Sequence, residues 1–321
     1  MLQVRDVVKR YPVRGGPGEL TALSGVTFDL APGETLGILG ESGCGKSTLA
    51  KVIVQLERAS SGTVTLDGVE LTTLRGRALR EQRRRIQMVF QDPYSSLNPR
   101  HRIGDILGAV LEVHGLDGST PDRLRRVGDL LETVGLDPAF ARRFPHEMSG
   151  GQRQRVGIAR ALAVSPDVVI LDEPVSALDV SVRAEIMNLL ARLRTELEIS
   201  YVFISHDVSM VRHLADRVAV MYLGRIVEIG PWRDVVDAPS HPYTRALKDA
   251  VPVPDPTLAT PLRATVTGEV PNPADLPTGC PFHPRCPLTE DICRERDPEL
   301  LPLSERAARH VACHIVRRGE P

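Results

Sequence analysis

The chain has 321 residues, 42% hydrophobic and 25% charged, which fits an ordinary globular protein with one large domain and an appendage. Its formal net charge of −1 gives no general attraction to nucleic acid, and no run approaches the roughly eighteen apolar residues that a membrane span needs. The opening Met1-Leu2-Gln3-Val4-Arg5 enters a strand-like pattern without a signal-peptide core, so the expectation is a cytosolic chain, or one held at a membrane by partners.

Residues 1–90 read as short strands with turn signals around one helix. Within them, Gly40-Glu41-Ser42-Gly43-Cys44-Gly45-Lys46-Ser47 matches G-x-x-x-x-G-K-[ST]. It follows a strand pattern at 35–39 and precedes a helix whose Leu49, Val52, Ile53 and Leu56 recur at i, i+3, i+4 and i+7. In such a loop, glycines let backbone N–H groups curl round a β-phosphate, and the helix N-terminus adds the positive end of its dipole. Lys46 is placed to neutralise β- and γ-oxygens, and the Ser47 hydroxyl to ligate Mg²⁺. Gly40, Ser42, Gly43, Cys44, Gly45, Lys46, Ser47 and Thr48 are therefore candidate nucleotide contacts. The Cys44 side chain is given no chemistry, because its position tolerates many residues. The run from Arg75 to Arg85, with six arginines, reads as a solvated helix face.

Three apolar runs each close on a polar residue: 86–90 before Gln91, 168–171 before Asp172, and 201–205 before His206. Continuous apolar runs fit strands buried on both faces of a parallel sheet, whose ligands sit beyond the carboxyl ends of the strands. Those polar residues are thus expected to converge on one site. Asp172 suits the Mg²⁺ shell, and Glu173 is placed to polarise a water for in-line attack on the γ-phosphate. Between 92 and 150 the pattern turns helical, with Ile103, Ile106, Leu107, Val110 and Leu111 on one face, as in an inserted helical subdomain. A second amphipathic helix carries Val182, Ile186, Leu189, Leu190, Leu193 and Leu197. From Val251 to Gly279 seven prolines fall in 29 residues, which predicts an extended connection.

Ser149-Gly150-Gly151-Gln152 stands about twenty residues before Asp172-Glu173. This order of phosphate loop, SGGQ and Asp-Glu resembles the ABC transporter ATPases over residues 1–235. The resemblance implies an α/β fold: a P-loop NTPase core of the ABC ATPase type at 1–235, with a helical subdomain at about 92–162. A small cysteine-containing C-terminal domain occupies 236–321. It also implies roles. Tyr11 would stack on adenine, Gln91 would touch Mg²⁺ and sense the membrane partner, and Asp179, in Ser176-Ala177-Leu178-Asp179, would lie on the loop crossing a dimer interface. His206 would be the switch histidine on the γ-phosphate. Ser149, Gly150, Gly151 and Gln152 would cap ATP held by a second, homologous ATPase subunit. Met148 replaces the leucine common before SGGQ, an apolar exchange. With Glu173, His206 and the SGGQ run intact, hydrolysis is expected, and Glu173, His206 and Gln91 are the candidate catalytic residues.

Two further stretches resemble the peptide/nickel importer group of these ATPases. One is the run from Phe90 to Pro99, Phe90-Gln91-Asp92-Pro93-Tyr94-Ser95-Ser96-Leu97-Asn98-Pro99. The other is the tail, with His241-Pro242-Tyr243-Thr244-Arg245-Ala246-Leu247, Gly268-Glu269-Val270-Pro271 and Gly279-Cys280-Pro281-Phe282-His283-Pro284-Arg285-Cys286. They imply a peripheral subunit on the cytoplasmic face of the cell membrane. Its partners would be a second ATPase subunit as a heterodimer, two integral membrane permease subunits and an extracytoplasmic solute-binding protein, with no nucleic acid. Peptide is the first expectation for cargo and nickel or another small solute the second. A regulatory ATPase without a permease is the remaining alternative.

Cys280, Cys286, Cys293 and Cys313 crowd into the tail. A reducing setting argues against disulfides, and four thiolates suit either tetrahedral zinc or an iron–sulfur cluster. The spacing lacks the C-x₂-C pairs common in structural zinc sites. The resemblance to the peptide-importer tail implies a [4Fe–4S] cluster, with Zn²⁺ or uncoordinated thiols as the alternatives.

Overall fold

The computed structural model describes residues 1–12, 18–92, 96–250, 271–272, 276–303 and 306–318. The chain forms two compact units. The first comprises residues 1–29, 35–72 and 205–321, the second residues 30–34 and 73–204.

In the first unit, β1 (Leu2–Pro12), β2 (Glu19–Leu30), β4 (Ser61–Leu66) and β5 (Val69–Glu70) make a sheet ordered β2-β1-β4-β5. β1 and β4 pair antiparallel, Leu2 opposite Leu66 and Val4 opposite Val64. Leu2, Val4, Val64 and Leu66 are all fully buried, the alternation of a sheet with one covered face. A second set of strands runs β11-β12-β10-β9-β3: β3 (Thr35–Leu39), β9 (Arg217–Tyr222), β10 (Arg225–Pro231), β11 (Leu301–Leu303) and β12 (Arg306–Val311). β3 and β9 are parallel, and the remaining pairs are antiparallel. Every residue of β3 is buried. Gly37 at its centre has no room for a side chain, since a Cβ there would lie 2.4 Å from Val211 of α7 (Val208–Leu214).

β3 leads to α1 (Lys46–Ile53). The helix stops short of the fourth member of its expected apolar face. Gln55 takes a left-handed φ of 59°, and Leu56 beyond it is left 51% exposed. α8 (Pro242–Asp249), α9 (Asp291–Glu295) and α10 (His314–Arg318) complete this unit.

The second unit holds three parallel strands in the order β8-β7-β6: β6 (Ile86–Val89), β7 (Val168–Asp172) and β8 (Ser200–Ser205). Ile86 pairs with Val168, and Val168 with Ser200. The three apolar runs are thus strands, and β7 and β8 are buried along their whole length, as unbroken apolar runs require. Around them lie α2 (Gly76–Arg85), α3 (Ile103–Val113), α4 (Thr120–Thr133), α5 (Gly150–Leu162) and α6 (Val180–Leu197). α2 buries none of its residues, and Arg75, Arg77 and Arg80 of the arginine run are exposed, while Arg83 and Arg85 are half-buried and Arg85 pairs with Asp167. The proline-rich connection falls almost wholly at 251–270 and 273–275, outside the described residues. Among the described residues, no helix is long and apolar enough to cross a membrane.

Candidate functional site

The turn from β3 into α1 is built by glycines for a steric reason. A Cβ on Gly40 would lie 2.4 Å from the Met221 carbonyl, and one on Gly45 would lie 2.4 Å from the Ala22 carbonyl. Gly43 and Gly45 also take left-handed φ values of 80° and 104°, which side chains disfavour. The result is a tight cradle whose wall is backbone. Lys46 opens α1 and is only 5% exposed, with its ammonium donating to the carbonyls of Gly40 (2.7 Å) and Glu41 (2.9 Å). A buried cation is therefore fixed at the mouth of a glycine cradle, an arrangement that suits a phosphate chain. Burial pushes the neighbouring Cys44 thiol up, so it remains protonated.

Ser47 and Thr48 follow in the first turn of α1. Thr48 also hydrogen-bonds the Tyr11 phenol, which donates to Glu57. Burial and the Glu57 carboxylate push that phenol up to about 12, so Tyr11 is a neutral ring tethered by its hydroxyl, with Lys9 Nζ over it, 4.7 Å from its centroid. His206 is exposed just past the end of β8.

In the second unit Asp172 ends β7 and is buried. Glu173, the next residue, has a left-handed φ of 45°, a costly conformation for a residue with a side chain. Three hydrogen bonds hold it there. Its N–H donates to the Ile204 carbonyl (3.0 Å), and its own carbonyl accepts from the Ser176 hydroxyl (3.1 Å) and amide (3.3 Å). Gln91 Nε2 donates to Glu173 Oε2 at 2.9 Å, so residues 82 apart in sequence meet here.

Ser149 is the N-cap of α5. Its hydroxyl accepts from the Gln152 amide (3.3 Å), and the Gln152 side chain accepts from the Ser149 amide (3.0 Å), forming a capping box. The two glycines between them are packing requirements. A Cβ on Gly151 would lie 2.5 Å from Val182 Cγ1, and one on Gly150 3.2 Å from Leu178. Asp179 is the N-cap of α6, and Leu178 just before it lies against Gly150 of the SGGQ run.

A cavity of about 780 Å³ lies elsewhere in the first unit, lined by Asp6, Thr27, Arg225, Cys280, Asp297 and His310 among others. None of the expected nucleotide residues lines it.

A glycine cradle after a buried parallel strand, with a lysine and a serine opening the next helix, defines a P-loop nucleotide-binding cassette. The ABC transporter family matches residues 23–176, and the oligopeptide/dipeptide transporter C-terminal region matches residues 227–293. The probable peptide ABC transporter ATP-binding protein y4tS of Sinorhizobium fredii is 50% identical over 98% of this chain and 90% of its own length. The oligopeptide transport ATP-binding protein AppF of Bacillus subtilis is 47% identical over 98% of this chain and 97% of its own length. Among solved structures, the ATP-binding cassette MJ0796, a dimer in a post-hydrolysis state bound to ADP and Pi, superposes with a TM-score of 0.65. It shares 31% identity over 73% of this chain and 99% of that one. The chain belongs to the ABC transporter ATP-binding proteins of the oligopeptide/dipeptide group. It is an ABC-type ATPase, which uses ATP and Mg²⁺.

The cysteine tail departs from expectation. Among the described residues no group of three or more His, Cys, Asp or Glu side chains could hold a metal ion, and the relatives' names record only ATP-binding proteins. The [4Fe–4S] cluster expected at Cys280, Cys286, Cys293 and Cys313 is therefore withdrawn, and the same finding removes the ground for Zn²⁺. All four are free thiols. Burial pushes the Cys280 thiol up to about 11 and raises Cys286 as well. Cys313 packs as a small apolar residue in a cluster with Leu303 and Val311, against which Ile315 and Val316 lie. Cys280 is tied by its backbone instead, its amide donating to the Cys293 carbonyl at 2.8 Å.

Sequence reasoning also missed Glu41, Tyr243 and Arg285. The Glu41 amide donates to the Tyr243 hydroxyl (3.0 Å), and the Glu41 carboxylate accepts two bonds from Arg285, at 3.0 and 3.1 Å. The available signal was a carboxylate inside a loop meant for phosphate, which demands a counter-charge.

Proposed function

We propose that this chain is the ATP-hydrolysing subunit of a peptide importer, docked on integral membrane permease subunits at the cytoplasmic face. The observation that carries the reading is the backbone cradle of Gly40, Gly43 and Gly45 closed by buried Lys46, joined to a tail of the oligopeptide/dipeptide type. In this reading Lys46 binds β- and γ-phosphate oxygens, Ser42 and Thr48 complete the loop's contacts, and Tyr11 stacks on adenine. Ser47, Gln91 and Asp172 offer the hard oxygen donors that Mg²⁺ takes, and the ion there would neutralise charge on the transferred phosphoryl group. Gln91 spends its N–H on Glu173, which leaves its amide oxygen for the cation.

Glu173 is the general base. Its pinned left-handed backbone keeps the carboxylate fixed while it accepts a proton from the attacking water. His206 senses the γ-phosphate. Ser149, Gly150, Gly151 and Gln152 open α5 as a helix N-terminus suited to phosphate, and they serve the nucleotide of a second ATPase subunit, with Asp179 near the shared boundary. That MJ0796 was solved as a dimer supports this division of labour. Residues 1–235 form the ATPase domain, with 236–321 as its C-terminal domain. An extracytoplasmic binding protein delivers the peptide.

The test is turnover in the complex purified with its permease. Glu173→Gln is expected to lower ATP hydrolysis about 10³-fold while ATP binding persists. Unchanged turnover would remove Glu173 as the base, and failure to co-purify with membrane subunits would remove the transporter assignment.

A further inference from the structure

Two parts of the C-terminal tail that the proposed catalytic roles do not use reach back to the phosphate loop. α8 supplies Tyr243, a fully buried ring whose hydroxyl accepts the Glu41 N–H. Burial raises that phenol well above its ordinary value, so the accepting hydroxyl is neutral. The turn His283–Arg285 supplies Arg285, whose side chain is 7% exposed and grips both Glu41 oxygens. Aromatic contacts lock the two supports together. Tyr222, at the end of β9, lies 4.7 Å from Tyr243 and 5.3 Å from Phe282, centroid to centroid, with Arg285 5.8 Å from its ring. Pro271 and Asn272 of the tail line, with Glu41, Ser42, Gly43 and Cys44, a cavity of about 410 Å³.

The charge at Glu41 gives this contact a consequence beyond packing. A carboxylate one residue into a phosphate loop would repel a triphosphate. A buried, bidentate guanidinium cancels that charge and fixes the side chain in one plane. We infer that Arg285 and Tyr243 are positioning residues for the nucleotide: acting through Glu41, they hold the phosphate loop's curvature and neutralise its acidic member, so the C-terminal tail sets the cassette's affinity for ATP. The inference rests on the reading that residues 40–47 hold the phosphates.

The full chain in complex with its permease is the material for the test. Arg285→Ala is expected to raise the ATP KM about tenfold with little change in kcat, because the contact serves binding and not the chemical step. Arg285→Lys should recover part of the loss. Tyr243→Phe, which keeps the ring and removes only the hydroxyl, should raise KM about threefold. Glu41→Gln combined with Arg285→Ala should bind ATP no more weakly than Arg285→Ala alone, since both changes act on one contact. Additive losses, or an Arg285→Ala KM within about twofold of the parent, would overturn the inference. A fall in thermal midpoint with no KM change would reduce Arg285 to a packing residue and overturn it equally. Lys46→Ala separates the two layers. If it leaves ATP binding intact, the phosphate-loop reading itself fails; if it abolishes binding while Arg285→Ala does nothing, only the positioning role fails.

Discussion

The phosphate loop and the cysteine-bearing tail are read with opposite success, for a physical reason. In the loop the backbone does the work, and glycine is needed wherever carbonyls such as those of Met221 and Ala22 come within 2.4 Å of the place a Cβ would fill. Residue type alone then announces the structure. In the tail the side chains do the work, and their roles depend on partners far away in sequence. The conspicuous residues, four cysteines, are free thiols, with Cys313 packed among aliphatic side chains. The inconspicuous ones, Glu228, His241, Arg285 and Arg309, carry the ties.

The strongest of those ties offers the largest effect. Arg309 and Glu228 form an ion pair whose side chains are 4% and 0% exposed. Glu228 also accepts from the amides of Ser240 (2.9 Å) and His241 (3.0 Å), while Arg309 donates to the Ala238 carbonyl (2.7 Å). β10, the segment leading into α8 and β12 are thus bound through one carboxylate. Arg309→Met should cost about 3–5 kcal/mol in denaturant unfolding, because it strands a buried charge, and adding Glu228→Gln should restore much of it. A loss under about 1 kcal/mol would mean that the tail's order comes from its apolar contacts instead.

Sequence legibility follows the same division. The runs before Gln91, Asp172 and His206 declared parallel strands because an unbroken apolar run has no wet face to offer. The SGGQ run was legible as a family resemblance, whereas the reciprocal bonds between Ser149 and Gln152 that start α5 emerge only from the structure. The Arg285–Glu41 pair spans 244 positions, and nothing local to either residue names the other. The cysteines misled because their crowding and the resemblance to the importer tail implied a ligand set, while nothing local announces that Cys313 packs against Leu303 and Val311.

A smaller effect should come from His241. It is fully buried, and desolvation pushes its pKa down to about 3, helped by the charge of Arg245 and opposed by a hydrogen bond to the Ala312 backbone. In the unfolded chain the same imidazole titrates near 6.5. Above that pH both states are neutral and the contribution is constant. Below it only the unfolded state takes up the proton, so stability falls as the pH drops from about 6.5 toward 3. Between pH 7.5 and 5 the loss should reach about 2 kcal/mol. The His241 Nδ1 accepts the Tyr243 amide at 3.1 Å, a cap that asparagine can imitate. His241→Asn should therefore flatten the pH dependence of the thermal midpoint while keeping α8 in place. An equal slope in both proteins would assign the acid sensitivity to other groups.

The smallest effect decides the most about the tail. Cys313 is 8% exposed against Leu303 and Val311. Were it a ligand, alanine and serine would be equivalent, because neither replaces a thiolate. As a small apolar residue, its truncation to alanine should cost only about 1 kcal/mol. Serine keeps the volume but buries a hydroxyl among aliphatic groups, so Cys313→Ser should be the less stable of the two by about another 1 kcal/mol. The expected order of thermal midpoints is thus parent, alanine, serine, with no shift in the parent when a strong chelator is added. A midpoint that drops on chelation, with the two variants indistinguishable, would return coordination chemistry to the tail and undo the contrast between it and the phosphate loop.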